Sequence, residues 1–216
     1  MTNLDLFVEN GKKIIGVAAN YRSLLKVLKR EVPQVPEIFI KPTTSYITEN
    51  EAIVIPNGFS VNQEVELGVI IGKKAKRVKE NEAMDYVGGY CVALDMTATC
   101  KIKEARSKGG SWTLGKGFDT ATPVSKFIPR SYIPDPYKLT LWCSVNGKMR
   151  QKGSTNDLVF NIPFLISYIS KYITLEPNDL ILTGSPPDMG PVKENDVIET
   201  GITDVVEVKF KVFNEN

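Results

Sequence analysis

From Val61 to the end of the chain, apolar residues recur mainly with the period of two that half-buried strands require. The clearest case sets Val206, Val208, Phe210 and Val212 on one face against Glu207, Lys209 and Lys211 on the other. Strands are also expected over 14–19, 64–71, 86–97, 139–145 and 179–183. Residues 37–55 read as short strands broken by Pro42 and Asn50. Helical spacing is rarer. Leu24, Leu25 and Leu28 sit among Arg22, Lys26, Lys29 and Arg30 over 21–30, before Pro33 and Pro36 end the segment. A second helix is predicted over 102–107, stopped by Gly109-Gly110, and a third over 163–172. Asn146-Gly147 between two apolar runs is a hairpin signal, since both residues tolerate positive φ. Many strands, few helices and no β-α-β rhythm predict a mixed, β-rich α+β fold. The 216 residues suffice for one sizeable domain.

The 64–71 strand carries the most chemistry. Alternation puts Glu64 and Glu66 on one face while Val65, Leu67, Val69 and Ile71 fill the other. Carboxylates this close repel unless a cation, a proton or water screens them. A hard divalent cation such as magnesium takes oxygen ligands from such a pair. Taken alone, Glu-x-Glu on a strand is usually a solvated sheet face. A third acid, Asp95, interrupts the apolar run Val92-Ala93-Leu94-Asp95-Met96-Thr97 and changes that weighting.

Composition narrows the chemistry by exclusion. The chain has no histidine, which removes Ser-His-Asp and Cys-His catalysis, histidine-based zinc sites and the commonest general base. Three widely spaced cysteines, Cys91, Cys100 and Cys143, form no Cys-x-x-Cys pair, so neither a zinc knuckle nor a thioredoxin-type site is encoded. Net charge is +2, which gives no reason to expect nucleic acid or an anionic membrane as partner. The basic run at 73–79 is read as solvated loop charge. The N-terminal residues lack a basic region followed by an apolar core, and two acids there count against a transit peptide. The longest nearly apolar stretch, around Ile162 to Ile169, is too short to cross a bilayer. An intracellular protein is expected, in the cytosol or the mitochondrial matrix.

Ordered segments across nearly the whole chain resemble the fumarylacetoacetate hydrolase family. They are Phe39-Ile40-Lys41-Pro42, Glu64-Val65-Glu66-Leu67, Asp85-Tyr86-Val87-Gly88-Gly89-Tyr90, Leu94-Asp95-Met96-Thr97-Ala98, Trp112-Thr113-Leu114-Gly115-Lys116-Gly117-Phe118, Val145-Asn146-Gly147 with Arg150-Gln151, and Ile181-Leu182-Thr183-Gly184-Ser185-Pro186. Within that family the chain is most similar to the subgroup that processes acylpyruvates and oxaloacetate. The resemblance implies a rolled, mixed β-sheet of the family's C-terminal-domain type, assembled as a homodimer. One domain over 1–216 is then expected, with a lid-bearing part at 1–60 and a metal-binding core at 61–216. It further implies magnesium or manganese held by Glu64, Glu66 and Asp95, with Lys116 as the active-site lysine. Ser185, where the family has threonine, and Thr183 become candidates for binding the carboxylate of a small 2-oxo acid. A lysine beside a cation is expected to have a lowered pKa.

Five positions depart from the family pattern. Leu24 and Val27 replace a histidine and a glutamate on the lid helix, Ala19 and Thr99 replace arginines, and Ile102 replaces a glutamine. The expected function is metal-dependent chemistry on 2-oxo acids such as oxaloacetate or an acylpyruvate. Decarboxylation or keto-enol tautomerisation is favoured over hydrolysis of a carbon-carbon bond, which needs an activated water. The alternative is a catalytically impaired relative that serves as a metal- or 2-oxo-acid-binding or structural protein.

Overall fold

All seven residues of the Val65–Ile71 strand are buried, on both faces. Such a strand belongs inside a sheet that is covered on each side. In the computed structural model, which describes residues 3–215, it is third in a six-stranded sheet. Residues 1, 2 and 216, the ends of the expected 1–216 domain, lie outside the described residues. The sheet order is Ile128–Pro129, Val87–Leu94, Val65–Ile71, Leu180–Leu182, Ile14–Ala18, Glu37–Lys41. Only the Ile14–Ala18 and Leu180–Leu182 pair is parallel; the other neighbours run antiparallel.

A second sheet runs Lys148–Ser154, Thr140–Val145, Val197–Ile202, Val206–Asn214, Ala52–Ile55, with the last pair parallel. Val208, Phe210 and Val212 turn inward while Glu207, Lys209 and Lys211 face solvent, as the alternation requires. Val65, Leu67 and Val92 of the first sheet share one core with Ile53, Leu141, Ile198 and Phe210 of the second. The result is the mixed, sheet-rich α+β architecture that the pattern predicts. Residues before 60 supply strands to both sheets.

Local signals set most boundaries. Asn146 and Gly147 both have positive φ, 52° and 72°, and close the hairpin between Thr140–Val145 and Lys148–Ser154. The first predicted helix shortens to Arg22–Val27, since Lys29 at φ 51° turns the chain away. The second starts three residues earlier than expected, covering Thr99–Lys108, and ends on left-handed Gly109. The third covers Ile162–Tyr172, with the Asn161 side chain accepting from the Phe164 N–H at 2.8 Å. A one-turn helix at Thr113–Lys116 is too short to announce itself by periodicity, yet it carries Lys116.

Candidate metal centre

Sheet register brings the acids together. Val65 pairs with Leu94 and Glu66 with Ala93, and just past the ladder the Asp95 N–H donates to the Glu64 carbonyl at 2.9 Å. Glu64 and Asp95 therefore leave neighbouring chains at the same sheet end. Glu64, Glu66 and Asp95 each present a carboxylate oxygen within 4.8 Å of the others. Glu66 and Asp95 are buried; Glu64 is partly exposed.

The next strand over supplies the adjoining loop. Leu182 lies opposite Gly68, and two residues on Gly184 adopts φ 104° and donates its N–H to Glu66 Oε2 at 2.6 Å. A Cβ at Gly184 would stand 2.7 Å from the Asn20 Cβ, so this turn needs glycine. Asn20 fastens the loop by donating to the carbonyls of Thr183 and Phe160, both at 2.9 Å, and accepting from the Phe160 N–H at 2.8 Å. Gln151 accepts from the Val65 N–H at 3.0 Å and donates to Ser185 Oγ at 2.9 Å. Ser185 lines the cavity beside the acids. Thr183, the other candidate, is outside that lining; its buried hydroxyl donates to the Leu67 carbonyl at 2.9 Å.

Two lysines converge on Asp95. Lys116 donates to Asp95 Oδ2, to Thr97 Oγ1 at 2.6 Å and to Glu64 Oε2 at 3.2 Å, with its ammonium 4.7 Å from the Phe39 ring centre. Lys41, fully buried at the end of the Glu37–Lys41 strand, donates to Asp95 Oδ1 at 2.6 Å and to the Ala121 carbonyl at 2.9 Å. The sequence shows Lys41 as the one charge at the inner end of an Ile-Phe-Ile run, but its partner lies far off in the chain.

The electrostatics divide the three acids. Burial acts upward on Asp95, yet Lys116 and Lys41 outweigh it and hold its carboxyl below the usual range. Burial, then the negative charges of Asp95 and Glu64, drives Glu66 well above that range, with the Gly184 N–H pulling the other way. Burial also raises Glu64, against the pull of Lys116. Lys116 itself is raised: burial would lower it, but Asp95 and then Glu64 more than compensate. The lowered value expected for Lys116 is that of a lysine beside a bound cation; facing the carboxylates alone, the ammonium is favoured. Burial outweighs Asp95 at Lys41 and lowers it. Among the described residues Glu66 has no cationic side chain bonded to it, and its carboxylate accepts one N–H. A buried, mutually repelling set of oxygen donors without sulfur or imidazole fits a hard divalent cation, whose charge would relieve that repulsion.

The acids form the floor of a cavity of about 460 Å³. Leu24, Ala19, Thr99 and Ile102, four of the five departures, line it. The fifth, Val27, is 65% exposed and outside the lining. Arg30, Lys103 and Arg106 also border the cavity. Sequence reasoning missed these cations, although the spacing of Thr99, Ile102, Lys103 and Arg106 places them along one side of a helix.

A family model described as the C-terminal part of fumarylacetoacetate (FAA) hydrolase matches residues 13–213. Over 210 residues the chain is 49% identical to the mitochondrial oxaloacetate tautomerase FAHD1 of Homo sapiens, covering 97% of this chain and 95% of that protein. It is 47% identical over 202 residues to the mitochondrial oxaloacetate decarboxylase of Dictyostelium discoideum, covering 93% of each. Its fold is similar to that of a fumarylpyruvate hydrolase from Pseudomonas aeruginosa solved with Mn2+ and pyruvate. That likeness has a TM-score of 0.88 and 26% identity, over 95% of this chain and 91% of the other.

Proposed function

The chain belongs to the fumarylacetoacetate hydrolase family, and from that membership we propose that it is a divalent-metal-dependent enzyme acting on small 2-oxo acids, with oxaloacetate as substrate. Keto-enol tautomerisation or decarboxylation is the reaction, ahead of hydrolysis of an acylpyruvate. One observation carries this reading: Glu64, Glu66 and Asp95 converge within 4.8 Å at the floor of a cavity that Lys116 and Ser185 also line. The names of the human and Dictyostelium relatives supply the substrate.

A divalent cation held by the three acids supplies Lewis acidity, stabilising the negative charge that builds when a 2-oxo acid enolises or loses carbon dioxide. The rest falls to the chain's own residues. Lys116, positioned by its bonds to Asp95 and Glu64, would aim its amino group toward a developing oxyanion. Ser185, oriented by Gln151, offers a hydroxyl to the substrate carboxylate. Leu24 and Ile102 make part of the wall apolar, and neither side chain activates water. That favours reactions which need none.

The reading extends to finer points. Magnesium or manganese is the cation, supported by the all-oxygen donor set and by the manganese of the Pseudomonas relative. An intracellular site is proposed, with the mitochondrial matrix supported by the compartment of both curated relatives. A homodimer rests on the family resemblance. A second reading, a 2-oxo-acid-binding protein without turnover, is favoured by the apolar Leu24 and Ile102 at positions where the family carries polar groups.

Oxaloacetate tautomerisation, oxaloacetate decarboxylation and acetylpyruvate hydrolysis, each measured with magnesium and with manganese, separate the two. Turnover that disappears in Glu64→Ala is expected. Turnover no higher than in that variant, with oxalate still bound, sinks the enzyme and leaves the binding protein.

A further inference from the structure

The cavity is electrically polarised. Its floor holds Glu64, Glu66 and Asp95, whereas its rim carries Arg30, Lys103 and Arg106. The Thr99–Lys108 helix sorts its charges by side. Lys103 and Arg106 border the cavity, while Glu104 is engaged by Lys101 at 3.4 Å and Lys108 at 2.8 Å and is absent from the lining. Among the described residues, neither Lys103 nor Arg106 has an acidic partner. The Arg106 guanidinium lies 5.0 Å from the ring centre of Trp112, another lining residue, a packing that orients the group without neutralising it. Among the described residues Arg30 has only the exposed Glu37 at 4.0 Å as an acidic partner, an ion pair of little strength in water. Cations without acidic partners at the mouth of a pocket are suited to a ligand's second acid group.

We propose that Arg106 and Lys103, with Arg30, form a subsite for the distal carboxylate of a 2-oxo dicarboxylic acid, so that this chain selects dianionic over monoanionic substrates. The inference rests on the metal-site reading above and adds the feature that sets specificity. A ligand then spans the cavity, its 2-oxo acid end at the carboxylate trio and its second acid at the rim. The two ends make separable contributions.

The test is titration calorimetry in manganese with two unreactive acids of equal chain length, 2-oxoglutarate and 2-oxopentanoate. They differ only in the distal carboxylate. Binding of 2-oxoglutarate about tenfold tighter is expected, as one charge-assisted hydrogen bond supplies. Lys103→Met/Arg106→Met should remove that preference and leave 2-oxopentanoate affinity unchanged; Arg106→Lys should retain part of it. Equal affinities in the parent protein, or a double variant that weakens both acids alike, would overturn the subsite while leaving the metal centre standing. Loss of Glu64-dependent binding for both acids would overturn the two readings together.

Discussion

At the residue scale the site is a contest over Asp95. Its two carboxylate oxygens are each taken by a lysine, so it remains ionised while Glu66 is driven toward protonation. The two lysines are not equivalent. Lys116 lines the cavity, whereas Lys41 is sealed from it. Replacing Lys116 by methionine should lower turnover of oxaloacetate by about 10²–10⁴. Manganese affinity, followed by calorimetry, should be kept or improved, because one competing positive charge has gone. A variant that loses rate only through lost manganese would show that Lys116 assembles the site instead of acting in it. Lys41→Met leaves Asp95 buried with one partner fewer, and breaking a buried ion pair from one side costs about 3–5 kcal/mol. Urea unfolding should register that cost even where manganese is saturating.

At the element scale, one turn sets a backbone donor against the acidic trio. The left-handed turn at Gly184 aims an N–H at Glu66, and Asn20 braces it from the chain after the Ile14–Ala18 strand. Gly184→Ala meets both an unfavourable φ and a 2.7 Å approach to Asn20. A loss of about 1–3 kcal/mol in stability is expected from such strain. Weakened manganese binding should accompany it, since the donor that orients Glu66 moves. Unaltered manganese affinity would mean that Glu66 is set by its strand alone. The 206–214 strand was legible from alternation, because period-two burial is written locally, whereas Lys148–Ser154 and Val197–Ile202 were not among the expected strands. The Thr113–Lys116 turn was not legible either, since four residues hold no period. The early start of the Thr99–Lys108 helix was hidden as well, whereas Lys103 and Arg106 lay within the expected 102–107 helix and only the packing set them beside the cavity.

At the scale of the whole molecule, the centre joins distant stretches of chain: the Glu37–Lys41 strand, the pair Val65–Ile71 and Val87–Leu94, the Thr113–Lys116 turn and the loop after Leu180–Leu182. A cation that binds only when these are assembled should stabilise the fold as a unit. Manganese at about a hundred times its dissociation constant contributes about 2.7 kcal/mol by linkage. Thermal unfolding should therefore shift upward with manganese, return with a chelator, and show no shift in Glu66→Gln. A shift that persists in this variant would locate the cation elsewhere.

The sequence alone determined the strand-rich class, the Asn146-Gly147 hairpin and the acids at 64, 66 and 95. Each depends on a neighbouring pattern: alternation, a turn dipeptide, or a charge set in an apolar run. Tertiary structure decided which side chains meet. Lys41 reaches Asp95 across 54 positions, Thr183 spends its hydroxyl on Leu67, Val27 turns outward, and Arg30 and Arg106 arrive at one rim. Local pattern tells a residue which face it takes, but only the packing of distant segments sets what stands opposite.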